Sequence, residues 1–287
     1  MSETIRVAVC VPNEARSQVE SQANRLDNFL SMGRKCGLAR AANEIREILE
    51  KHDADVAAKV MKEFWSQYPQ YTSILGTKQI EWFFLTLGRI FTPLAREEAA
   101  KFAEEVSADY LFMIDDDMTC PNDLFERLFR HDVDIVAPLA FTRNFPHKAV
   151  LYEIKEGWDP VSRSAYFINH HVDRFPENAL VEADAVGFGA VLIKMKVIKA
   201  MKGQRFMDGC TSGTGEDILF CHKARKLGFR VFMDTSTEIG HLSHPIEVTR
   251  AYVEKVRNEL GYQDKTPIYS KYEDKNLSGK PSRLVLG

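Results

Sequence analysis

The chain has 287 residues, 45% hydrophobic and 28% charged, with a formal net charge of −3. That length buries a large core with an ordinary globular composition, and the charge gives no global pull toward nucleic acid or an anionic membrane. No apolar run nears the roughly 20 residues of a membrane helix, Met1-Ser2-Glu3-Thr4 is no signal peptide, and five cysteines without a C-x-x-C pair fit reduced thiols. The expectation is a soluble cytoplasmic protein without an integral membrane segment.

Ile5 to Val11 alternates into a strand that stops at the turn signal Pro12-Asn13-Glu14. Residues 16–31 read as a helix and 38–65 as one or two more, with Ile45, Ile48 and Leu49 at helical spacing. Trp82 to Leu87 reads as strand and Pro93 to Val106 as helix. Tyr110-Leu111-Phe112-Met113-Ile114 has the composition of a buried parallel strand, and it closes in Asp115, Asp116 and Asp117. Pro121 opens the next helix and Asp134 to Phe141 is strand again. This alternation predicts an α/β fold with a doubly wound, mostly parallel sheet over residues 1–141.

Residues 142–180 hold Pro146, Gly157, Pro160 and Pro176 and no long helical period, and read as loops and antiparallel strands beside the sheet. Ala185 to Lys194 is a strand broken by Gly187 and Gly189, residues 196–202 a short helix, and Asp217 to Leu227 a helix capped by Gly228. Arg230 to Asp234 is strand, 246–260 helix, and 263–287 a polar tail.

Three stretches carry chemistry. The first is the Asp triplet: carboxylates at a strand's carboxyl end sit where open α/β sheets bind ligands. Packed that closely they repel one another, a conflict that a hard divalent cation removes. The second is Ser212-Gly213-Thr214-Gly215-Glu216-Asp217, a Gly-rich turn leading into a helix; Asp217 there is either a helix cap or a functional carboxylate held by the helix dipole. The third is Gly240-His241-Leu242-Ser243-His244, after a strand expected to neighbour the Asp strand. Two carboxylates and an imidazole suit manganese.

Together these segments resemble family 2 glycosyltransferases of the GT-A fold, including related phage and bacterial proteins of unassigned acceptor. Asp115 to Asp117 looks like their D-x-D signature, and Asp184 to Gly189, Gly215-Glu216-Asp217-Ile218 and Gly240-His241 follow in the family's order over residues 104–245. Pro12-Asn13-Glu14 is a shortened form of the family's N-terminal turn, and Leu85 to Arg89 stands where its acidic stretch would be.

The resemblance implies a Rossmann-like nucleotide-sugar half plus a smaller mixed acceptor half. Residues 1–245 would form one catalytic domain, with a nucleotide-binding half at 1–141, a helical insertion near 38–65 and an acceptor half at 142–245. A C-terminal helix and tail would follow at 246–287. The activity implied is metal-dependent, inverting transfer of a sugar from a nucleotide-diphosphate sugar to an acceptor hydroxyl. The acceptor could be a glycan, protein, lipid or modified nucleic-acid base.

Asp117 would ligate Mn2+ or Mg2+, with Asp115 as a second ligand or a ribose contact and His241 as a further ligand, His244 second choice. Asp217 would be the general base, kept ionised by the helix dipole, and Glu216 would orient acceptor or base. Arg96, Arg143 and Lys148 are candidates for the diphosphate, and Asp116, Pro12, Gly187 and Gly189 complete the nucleotide-sugar set.

Three rivals remain. His171-Val172-Asp173 with a distal His241 or His244 satisfies the H-x-D…H triad of non-haem iron oxygenases, which needs an all-β jelly roll. A nucleotidyltransferase would carry a Gly-rich basic loop after the first strand, and Pro12-Asn13-Glu14-Ala15 is not one. A non-catalytic nucleotide- or carbohydrate-binding module would have no need of Asp217.

Overall fold

A computed structural model describes residues 4–12, 70–87, 91–115, 117–160, 163–172, 174–207, 214–243 and 246–262. The helices expected at 16–31 and 38–65, and the tail from 263, lie outside the described residues, as do Asn13, Asp116, Asp173, Ser212, Gly213 and His244.

An eight-stranded sheet runs in the order β2-β3-β1-β4-β11-β6-β12-β9. Its members are β1 (Thr4–Pro12), β2 (Gln70–Leu75), β3 (Lys78–Leu87), β4 (Tyr110–Ile114), β6 (Ile135–Leu139), β9 (Leu180–Ala183), β11 (Ala190–Lys194) and β12 (Val231–Glu238). Strands β3, β1, β4, β6 and β12 run one way, and β2, β11 and β9 oppose them. The sheet is therefore mostly parallel. It draws strands from both halves of the chain.

Both faces of the sheet are covered, which is why β4 is apolar throughout. Leu111 and Met113 join the core under α1 (Thr92–Glu105), α3 (Met195–Ala200) and α4 (Glu216–Lys226). Phe112 and Ile114 join the opposite core, under α2 (Leu124–Phe129). The buried face of α1 is Ala95, Ala99, Ala100 and Ala103, so this helix lies close on β1 and β4. Pro93 sits in its first turn, where a missing N–H costs nothing. α4 ends at Gly228, whose φ of 89° is open to glycine.

A second sheet, β10-β7-β8, is made by β7 (Leu151–Asp159), β8 (Ser164–His171) and β10 (Ala185–Val186). It is the antiparallel layer expected for the middle of the chain. A third sheet joins β14 (Ile246–Val248), β13 (Gly240–Ser243) and β5 (Met118–Thr119), and α5 (Arg250–Glu259) follows. Among the described residues no helix is long and apolar enough to cross a membrane.

Several expectations need correction. The strand at Trp82 begins at Lys78 and is one arm of a hairpin with β2. Pro121 does not begin a helix: its carbonyl accepts from Leu124 N, and the helix starts there. Residues 246–248 are strand, because they pair with His241, Leu242 and Ser243 before α5 begins. β12 is not a neighbour of β4; β11 and β6 stand between them. The helices on both sheet faces rule out the all-β jelly roll, and His171 instead donates from Nδ1 to Ala149 O at 2.8 Å.

Candidate active site

A cavity of about 190 Å³ opens at the carboxyl edge of the parallel strands. Its lining comprises Thr92, Arg96, Asp115, Met118, Ala140, Val150, Gly187, Phe188, Gly189, Glu216, Asp217 and His241. Topology gathers them. β4 delivers Asp115 at its end, and β11, being antiparallel to β4, brings its entry turn, Gly187 to Gly189, to the same edge. Asp115 N donates to Gly189 O at 2.8 Å and locks that meeting. α1 begins at this edge with Thr92 and Arg96, and α4 begins there with Glu216 and Asp217.

Gly187 is required by close approach, since a Cβ there would lie 2.7 Å from Val150 Cβ. Phe188, between the glycines, packs on Phe220 at 5.5 Å, which itself stacks on Phe206 at 4.6 Å. Each such buried ring is worth roughly 1.5–3 kcal/mol, so this wall of the cavity is firm.

Arg96 is only 2% exposed. Its Nε donates to Glu216 Oε1 at 2.9 Å and its Nη2 to both Asp115 oxygens at 3.1 Å. Burial opposes its charge, but Asp115 and Glu216 outweigh that and hold it firmly protonated. Its Nη1 is buried with no hydrogen-bond partner. Arg96 thus spans the strand-end carboxylate, 19 positions away in sequence, and the helix-start carboxylate, 120 positions away.

The half-buried Asp217 has its carboxyl pushed up to about 6, first by burial and then by neighbouring Glu216, against the pull of Arg96 and the Ile218 and Phe188 N–H groups. Desolvation is thus the largest influence on this carboxyl. Gly215 makes the arrangement possible, since a Cβ there would stand 2.6 Å from Asp217 Oδ1. Tyr152, missed in the sequence, lies within the field of Asp217 and Glu216, which with burial push its phenol upward.

His241 reaches the site through β13, whose pairing sets His241 opposite Met118; Leu242 N also donates to Asp117 O at 2.9 Å. His241 Nδ1 donates to Phe141 O at 3.0 Å, so Nε2 carries the lone pair. Asp117 Oδ2 lies 3.5 Å from Nε2. Arg143 joins both: Nη2 is ion-paired with Asp117 Oδ2, and Nε donates to His241 Nε2 at 2.7 Å.

Among the described residues no three His, Cys, Asp or Glu side chains are grouped to hold a metal by themselves. Asp117 and His241 form a two-donor set, and the tautomer held by Phe141 O is that of a metal-ligating histidine. A divalent ion at this pair would have to complete its shell with further ligands such as water.

The remaining candidates fall around this centre. Lys148 is not among the lining residues; its N–H donates to Thr142 Oγ1 at 3.0 Å and closes the 142–148 loop. Pro12 ends β1, paired with Leu87. Thr92, Met118, Ala140, Val150 and Phe188 line the cavity without having been singled out. Only Phe188 carried a signal, lying between the two glycines.

No family model matches the chain, and no curated protein matches it. Among solved structures, A197 from STIV is 16% identical with a TM-score of 0.45, over 83% of this chain and 86% of that one. The 4-diphosphocytidyl-2C-methyl-D-erythritol synthase from Anaerococcus prevotii is 11% identical with a TM-score of 0.41, over 90% and 96%. The inositol-1-phosphate CTP transferase from T. maritima is 12% identical with a TM-score of 0.40, over 88% and 96%. At these TM-scores the likenesses carry no weight on activity or substrate.

Proposed function

We propose that the protein is a metal-dependent glycosyltransferase, moving a sugar from a nucleotide-diphosphate sugar to an acceptor hydroxyl with inversion. One observation carries the reading: Asp217, with its carboxyl raised to about 6, shares a cavity with Asp115 and His241 at the carboxyl edge of the sheet. A base of that pKa is ionised at neutral pH yet holds a proton better than an ordinary aspartate.

Asp217 takes the acceptor proton as the acceptor oxygen bonds to the anomeric carbon, and the bond to the diphosphate breaks with its electron pair on the departing oxygen. Glu216, held by Arg96, orients acceptor or base. Asp117 and His241 would hold the divalent ion, which when bound supplies Lewis-acid stabilisation of the departing diphosphate, and Asp115 would contact the ribose. Arg96 is buried and held by two carboxylates, whereas Arg143 is held by one carboxylate and one imidazole, which makes Arg143 the better diphosphate candidate. A cytoplasmic setting is in keeping with the free thiols of Cys120 and Cys221.

A thermal-shift panel of nucleotide sugars, each with manganese and with EDTA, tests the reading. It expects one donor class to raise Tm, and to do so only with the metal. A panel without any metal-dependent shift would contradict it.

A further inference from the structure

Asp117 and His241 already hold a cation belonging to the chain. The Arg143 guanidinium engages Asp117 Oδ2 and His241 Nε2 together. These are the two atoms a metal would need, and their 3.5 Å separation is close to the roughly 3 Å between neighbouring donors around one octahedral ion at about 2.1 Å. His241 has no second lone pair to offer, because Nδ1 donates its proton to Phe141 O. Guanidinium and divalent ion are therefore mutually exclusive at this pair, by occupancy and by like charge.

The loop that carries Arg143 is anchored apart from this side chain. Phe141 bridges to Ala149, Thr142 N donates to Lys148 O at 2.9 Å, and Arg257 donates to Pro146 O at 2.8 Å and to His147 O at 3.0 Å. Release of the pair then needs a rotamer change of one long side chain, not a rebuilt loop.

We propose that Arg143 is a resident counter-cation that closes the Asp117–His241 pair to a bare divalent ion and opens it when a diphosphate draws the guanidinium away. The proposal rests on the metal reading above. Guanidinium groups bind phosphate oxygens in a bidentate fork, so a diphosphate offers Arg143 a better partner than one carboxylate and one imidazole. Metal and diphosphate then bind with positive coupling, each raising the affinity for the other.

The test is calorimetric titration of Mn2+ alone into the full-length protein, as wild type, Arg143→Gln, Asp117→Asn and the double variant, with Tm as the folding control. Arg143→Gln is expected to bind Mn2+ about 10-fold or more tightly than wild type, on the scale by which neighbours of metal ligands act. The double variant is expected to lose that gain. Arg143→Lys, which keeps charge but not the fork, is expected to stay near wild type. Unchanged or weaker affinity in Arg143→Gln, with Asp117→Asn still reducing binding, overturns the gate and leaves the metal reading standing. Absence of Mn2+ binding in all the variants, Arg143→Gln included, overturns both.

Discussion

Asp217, at the start of α4, and Asp234, inside β12, both experience burial as their largest influence, and burial pushes a carboxyl upward. They end in opposite places, about 6 for Asp217 and about 2 for Asp234. The difference lies in what surrounds each. Asp234 is fully buried and accepts from His131 Nε2 at 2.9 Å, Ser236 N at 2.9 Å and Thr237 Oγ1 at 2.8 Å, besides the Ser236 hydroxyl. Among the described residues Asp217 accepts from the backbone N–H groups of Ile218 and Phe188, and it stands beside another carboxylate. A buried aspartate saturated with donors becomes a fixed charge that staples β12 to the end of α2. One short of donors holds its proton to a higher pH.

The largest expected effect would break the comparison from the Asp217 side. Asp217→Asn keeps the shape and an oxygen for the Ile218 N–H but removes basicity, so turnover should fall roughly 10²- to 10⁴-fold with donor binding spared. Steady-state kcat together with donor affinity checks this, and near-normal turnover would leave Asp217 a structural carboxylate in the first turn of α4.

From the other side, Asp234→Asn should cost about 2 kcal/mol of stability at neutral pH, the worth of lowering a carboxyl from 3.8 to about 2. Because the folded-state value is depressed, that stabilisation is present above pH 4 and fades as pH falls toward 2. Urea unfolding at pH 7 and near pH 2 should show the wild-type advantage shrink. An equal difference at both would tie the loss to packing instead.

The same sign reasoning sharpens the catalytic half. The Asp217 value is raised, so the group is protonated below about 6 and the rate should fall with pH through that point. Its charging also works against the fold as pH rises from 3.8 to about 6, so Asp217→Asn should be no less stable than wild type at pH 7. A rate profile of kcat/KM against pH and a Tm comparison read the two outcomes. An acid limb near 4 would contradict the assignment.

The smallest effect belongs to Gly215→Ala. Gly215 has φ of −62°, which alanine accepts, but the new Cβ would meet Asp217 Oδ1 at 2.6 Å. The carboxylate must turn aside, and turnover should drop roughly 10-fold, a modest share of what misplaced catalytic groups lose. Unaltered kcat at unaltered Tm would show that the position of Asp217 does not matter.

What the sequence revealed follows the range over which each feature is decided. β4 and its closing aspartates were legible because an apolar run and its end are local, and so was the helix that carries Asp217 in its first turn and closes at Gly228. Strand order was not legible. Periodicity says nothing about β11 and β6 standing between β4 and β12, and His241 reaches Asp117 by pairing with β5 rather than through a neighbouring strand. Arg96 and Arg143 read as phosphate-binding cations because their carboxylate and imidazole partners lie 19 to 120 positions away. The His131–Asp234 pair, 103 positions apart, left no local mark at all.

The most direct test of the central claim is calorimetry of the donor nucleotide sugar found by thermal shift, on wild type and Asp117→Ala, in manganese and in EDTA. Wild type should bind in manganese and lose most of that affinity in EDTA. Asp117→Ala, still folded by Tm, should bind weakly in both. Equal affinity of the wild type with and without the metal would contradict the account.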